Sequence, residues 1–263
     1  MSWSAVLEAY ARKPHPERDL PEGVWLCNDE RTLTIFDGYE KAKFHFLVMP
    51  RDPFPLEKGG TVPSSSLHSL SSLLKSPHKL EVLKALERQA AEVKEMIEDE
   101  MMKREGWTWD VRIGFHANES MRHVHLHVIS SDMLSPKLKN KKHWNSFHPE
   151  LGFFLHLSDV IAGVEDGSFS LQPKDDYESI LKLPLQSFYD GRTYANLPKL
   201  KDHLLDEFKK RGKAEKARIE AAKENEDANE NEKGTKREAD TQEGATQLQN
   251  DGESPLKKPK VDA

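Results

Sequence analysis

The chain holds one cysteine, Cys27, in 263 residues, so an intrachain disulfide is excluded. Long apolar runs are also missing; none approaches the roughly 20 residues that a membrane helix needs. The start, Met1-Ser2-Trp3-Ser4, shows no basic-then-apolar leader. These absences predict a soluble, intracellular chain with no membrane partner. An excess of positive charge is lacking too: the formal net charge is −6. A nucleic-acid partner would therefore have to be met by local lysine and arginine patches. Apolar residues make up only 36% of the chain, and the shortage sits at one end. No aromatic residue follows Phe208, and residues 209–263 carry 13 Lys+Arg against 13 Asp+Glu. Such a segment cannot offset the entropy of ordering, which predicts a mostly disordered tail.

What is present centres on His123-Val124-His125-Leu126-His127-Val128-Ile129. Side chains alternate across a β-strand. The pattern predicts a strand with His123, His125 and His127 on one face and Val124, Leu126 and Val128 turned into a core. Three aligned imidazoles suit either a metal site or a nucleophile with acid and base groups, and spacing alone does not choose between them. Around this strand, residues 3–12 have helical spacing of Trp3, Leu7 and Tyr10. Strands are expected at 24–27, 32–36, 44–49 and 109–115, with Pro50 stopping the third, and a loop at 51–66. A long amphipathic helix is expected at 79–104, ended by Gly106. A turn at 116–120 would bring His116 and Ser120 to the end of the histidine row. Residues 132–147 are polar and basic, and a last helix is expected from about Pro198 to Phe208.

The histidine run resembles the signature of the histidine triad superfamily of nucleotide hydrolases and transferases. Asp37 to Pro50 is similar to that superfamily's nucleoside-binding segment. Gly114-Phe115-His116-Ala117, Ser120-Met121, Ser135 to Trp144, Lys182-Leu183-Pro184-Leu185 and Pro198 to Leu204 resemble aprataxin-type members specifically. The resemblance covers residues 1–208. It implies an α+β histidine triad fold, an antiparallel sheet flanked by helices, over residues 1–150. A small zinc-finger-like helical module at 151–208 and the charged tail at 209–263 would follow.

The implied activity is removal of AMP from the 5′ end of double-stranded or nicked DNA left adenylated by a stalled ligase. The resemblance makes His125 the nucleophile, forming a covalent AMP-histidine, and His116 the acid that protonates the leaving phosphate. His123, His127 and Ser120 would supply donors around the phosphorus. Asp37 would accept from the ribose hydroxyls, and His45 would support the site. Lys41, Lys43, Lys139 and Lys142 would face phosphates, and Trp3 would stack on the terminal base pair. AMP is the product and no metal is required. A histidine triad hydrolase of small nucleotides is the alternative reading.

One departure stands out. Aprataxin-type chains carry a C-x2-C-x12-H-x3-H finger, or Glu at the last place. Here the cysteine positions hold Ser187 and Asp190, with His203 and Glu207 at the last two. Hydroxyl and carboxylate are weaker zinc ligands than thiolate, so a tight structural zinc is not expected. Arg192, Lys199 and Lys201 remain for DNA phosphates. The end, Ser254 to Val261 with Lys236-Arg237 upstream, resembles a basic nuclear-import signal, and DNA-repair proteins are conceivable partners.

Overall fold

In a computed structural model, residues 3–247 are described, with side chains described as far as residue 225. A one-turn 3-10 helix (Trp3–Ala5) leads into α1 (Val6–Ala11) and α2 (Pro16–Asp19), and then β1 (Trp25–Asn28), β2 (Thr32–Phe36) and β3 (His45–Pro50) follow. A small hairpin comes next, β4 (Phe54–Pro55) and β5 (Thr61–Val62), then α3 (Leu70–Leu74) and α4 (Lys79–Glu105). The chain continues through β6 (Val111–His116), β7 (Leu126–Ser130), α5 (Lys141–Phe147), β8 (Phe154–His156) and α6 (Leu157–Glu165). It ends with α7 (Lys174–Ile180), β9 (Leu185–Gln186), β10 (Thr193–Tyr194) and α8 (Leu197–Gln247).

Six strands form one antiparallel sheet in the order β1-β2-β3-β7-β6-β8. Directly opposed residues share a face. The register pairs Ile35 with Leu47, Leu47 with His127, His127 with Gly114 and His116 with Phe154. His45, His127 and His116 therefore stand on the same side of the sheet. The opposite side packs on α4, whose Val82, Leu86, Ala90, Val93, Ile97 and Met101 are buried at helical spacing. Gly106 closes α4 at φ 70°, a backbone angle that glycine adopts without steric cost.

Two clusters cover the histidine side. Leu7 and Ala11 of α1 pack on Leu33, Ile35, Leu47 and Met49. Trp144 and Phe147 of α5, with Leu185, Leu200 and Leu204, pack on Ile129 and Phe154.

Asp132 pins the seams of this arrangement. It is fully buried, and it accepts from the indole N–H of Trp109, the backbone N–H groups of Lys43 and Leu134, and the Ser130 hydroxyl. A buried carboxylate is tolerable only when satisfied in this way.

The structure departs from the sequence reading in five places. The histidine strand starts at Leu126, not His123. His123 has φ 95°, and its N–H and that of Val124 donate to the carbonyls of His68 and Leu67, outside the sheet. The inward alternation survives nonetheless, with Val124, Leu126 and Val128 wholly buried. Pro50 ends β3 from inside it, and the loop at 51–66 contains the β4–β5 hairpin. Within the expected finger segment, residues 154–156 form the sixth strand of the main sheet.

Finally, α8 runs to Gln247 where low apolar content predicts disorder. The segment is rich in Ala, Glu, Lys and Arg, which favour helix without any packing. Residues 1–211 form one compact unit and residues from 212 onward a second. The basic end at 254–261 lies outside the described residues, and no described helix is long and apolar enough to cross a membrane.

Gly114 lets β8 approach β6: a Cβ there would stand 2.5 Å from the Leu155 carbonyl oxygen. Gly114→Ala is expected to cost about 1–3 kcal/mol by overpacking, read from urea unfolding.

Candidate active site

His45 opens β3, His127 lies in β7 and His116 ends β6, so three strands present three imidazoles to one point. Phe147, the last residue of α5, roofs them. Its ring centroid lies 5.2 Å from that of His45, 4.4 Å from His116 and 5.1 Å from His127. Burial disfavours the charged form of every ring. It pushes His45 down to about 4 and holds His116 and His127 well below the usual histidine value. The cluster is thus neutral at pH 7, and hydrogen bonds decide where each proton sits.

Those bonds form a chain. The Lys41 backbone N–H, which can only donate, bonds His45 Nδ1 at 3.2 Å. His45 then carries its proton on Nε2 and donates to His127 Nδ1, 3.0 Å away. His127 in turn carries its proton on Nε2, a buried atom with no partner among the described residues. His116 Nε2 is likewise buried and unpartnered, and its ring lies 4.3 Å from that of His127.

His125 is 5% exposed, and its Nδ1 donates to the His123 carbonyl at 2.8 Å. That leaves a lone pair on Nε2, beside His127 at 5.2 Å between centroids. With its Nδ1–H so held, His125 can present Nε2 as a nucleophile beside a buried donor.

Asp37 stands at the other end of the chain. Its Oδ1 accepts from the Tyr39 N–H at 2.7 Å, and its Oδ2 lies 3.3 Å from His45 Nδ1. Asp37, His45 and His127 are close enough to suggest a metal. One ligand atom from each lies within 4.8 Å of the others, although the shortest contacts to Asp37 and His127 use opposite nitrogens of His45. Asp37 and His45 border a cavity of about 850 Å³ walled by Leu7, Tyr10, Ile35, Leu47 and Met121, with Trp3 at its mouth. A flat apolar ring with polar hydroxyls at one edge fits that lining.

Several expected site residues are engaged elsewhere. His123 donates from Nε2 to the Pro50 carbonyl at 2.7 Å, and burial lowers it to about 4; it braces the backbone instead of facing the phosphorus. Ser120 is exposed in the β6–β7 turn with no described hydrogen bond. Lys43, in the bend before β3, pairs with Glu105 and lies 4.9 Å from the Phe208 ring. Lys41 is buried, donates to the Tyr39 carbonyl, and has its ammonium value lowered by that burial. Lys201 is spent on the carbonyls of Ser135 and Leu138. Lys139, Lys142, Arg192 and Lys199 are exposed.

The sequence reading missed two residues. Lys137 donates to the Gly38 carbonyl at 2.9 Å and pairs with Glu40, closing one side of the cavity. Phe147 carried a signal, as the apolar residue three places after Trp144 in a polar stretch.

Comparison with known proteins agrees with this geometry. Residues 60–143 match the family described as scavenger mRNA decapping enzyme C-term binding, and residues 150–210 match the C2HE / C2H2 / C2HC zinc-binding finger. The chain is 38% identical over 205 residues to aprataxin of Danio rerio, covering 77% of this chain and 52% of that one. It is 35% identical over 202 residues to aprataxin of Gallus gallus, covering 77% and 54%. Over these residues the chain is similar to aprataxins. It spans about half the length of these relatives. The fold superposes on the crystal structure of the aprataxin ortholog Hnt3 in complex with DNA with a TM-score of 0.64. That match has 24% identity and covers 82% of this chain and all of that one. The aprataxin-type fold is thus present from α1 through the first turns of α8.

The buried imidazoles set a pH dependence. His45 and His123 bind a proton near 4 when folded, against about 6.5 when unfolded. Lowered folded values mean that stability is full above pH 6.5 and is lost as pH falls toward 4. Each residue contributes up to about 1.4 kcal/mol per pH unit in that window. Urea unfolding at pH 7.5 and 5 checks this, and His45→Gln is expected to reduce the slope.

Proposed function

We propose that this chain removes AMP from 5′-adenylated DNA. The observation that carries the reading is the tautomer of His125, with Nδ1–H held by a backbone carbonyl and Nε2 free beside the unpartnered Nε2–H of His127. His125 Nε2 attacks the AMP phosphorus, an N–P bond forms, and the bond to the bridging pyrophosphate oxygen breaks. The DNA leaves with its 5′-phosphate. His127 Nε2–H donates to the oxygens around the phosphorus. His116 is neutral in the free protein; the charge of the entering pyrophosphate raises its affinity for a proton, which it passes to the leaving phosphate. Water then attacks the phosphorus, releasing AMP and restoring His125.

The adenosine occupies the apolar cavity with its ribose hydroxyls on Asp37 Oδ2, and Trp3 at the rim meets the terminal base pair. Exposed Lys139, Lys142, Arg192 and Lys199 meet DNA phosphates. That an aprataxin ortholog has been crystallised with DNA supports this partner. The basic end at residues 254–261 would direct the chain to the nucleus, and a reporter carrying it is expected to accumulate there.

A nicked duplex with a labelled 5′-AMP cap tests the activity. Wild type is expected to release AMP with chelator present. His125→Ala should lower the rate on the order of 10⁴-fold or more, and His116→Ala by about 10²–10⁴-fold. Failure on the duplex with cleavage of a small adenosine phosphoramidate would assign a small-nucleotide substrate instead.

A further inference from the structure

The finger family that matches residues 150–210 is described as zinc-binding, and the donors in this chain do not fit that metal. Ser187 is fully buried. Its Oγ lies 3.0 Å from His203 Nε2 and accepts from the Tyr189 N–H. The nitrogen that would ligate zinc is therefore taken by a hydroxyl. Asp190 Oδ1 stands 3.7 Å from the same nitrogen and accepts from the Arg192 N–H. Glu207 is turned to Lys210 and Arg211, both 3.5 Å away. A serine hydroxyl keeps its proton near neutral pH, whereas thiolate gives it up to zinc. No pair of soft anions is left to hold the ion.

Something else must then hold the module, since zinc fingers of the ordinary kind do not fold without metal. The neighbouring fold supplies it. Trp144 of α5 stacks on Phe188 at 5.1 Å and 9° between planes, and its indole N–H donates to the Gln186 carbonyl. Asn145 Nδ2 donates to the carbonyls of Ile180, Leu181 and Leu183. The Arg112 guanidinium lies 4.0 Å from the Phe188 ring centroid. Lys201 reaches back to Ser135 and Leu138.

We propose that this module is a metal-free finger: the Ser187–His203 hydrogen bond stands where the ion would be, and α5 with β6 holds it from outside. Its position then depends on Phe188 docking, not on metal supply.

The test uses the full chain and reads folding, so it stands whether or not the proposed activity does. Protein treated with EDTA, and the same protein returned to zinc, are compared by thermal unfolding and by hydrogen exchange over residues 185–205. No shift in Tm and no change in protection are expected; a loss on chelation that zinc restores would overturn the proposal. Phe188→Ala is expected to lose protection in the module with or without zinc, and unchanged protection would overturn the external hold. S187C/D190C should regain a metal site, seen as a cobalt–thiolate charge-transfer band absent from wild type. A folded S187C/D190C protein without that band would overturn the assignment of these two positions as the lost ligands.

Discussion

Desolvation of three imidazoles in one place is the constraint on which the site depends. Water would let each ring choose its own protonation state. Buried under Phe147, none of His45, His116 and His127 can afford a charge, so protons sit where hydrogen bonds direct them. The origin of that direction is one backbone N–H, that of Lys41. It makes His45 a donor to His127 and leaves His127 a donor into the site. His125 is set separately by the carbonyl of His123. A nucleophile and a donor are thereby prepared side by side with no charged residue touching either.

This explains why so many cations expected near the phosphates are tied down elsewhere. A free ammonium among neutral imidazoles would need a counter-charge, and the carboxylate beside them, Asp37, already accepts from the Tyr39 N–H. Lys43 is drawn to Glu105, Lys137 to Glu40, and Lys41 to a carbonyl. The cations left exposed are Lys139, Lys142, Arg192 and Lys199, where solvent shares the cost of their charge.

The sheet was largely legible in the sequence because alternation and turn residues are local signals. Strands β2 and β3 and helix α4 lie within a residue or so of their expected bounds. The nature of the site was legible through the resemblance carried by the histidine run and its flanking segments. What local pattern could not show was non-local. His123 alternates perfectly in sequence, yet its N–H bonds to His68, far away in the chain. Lys201 reads as a free cation until Ser135 and Leu138 are brought beneath it. The sixth strand, three residues long, becomes a strand only because Gly114 leaves room for it. Composition also misjudged the end of the chain, since helix propensity needs no apolar residues.

Helix α5 is only seven residues long, yet it serves two structures at once. Its Trp144 is the floor of the finger and its Phe147, one turn on, is the ceiling of the histidine chamber. A short helix is rigid over that distance. Any load placed on the finger is therefore felt by the lid over the imidazoles, so that gripping a long polymer and closing on its end would be a single mechanical event.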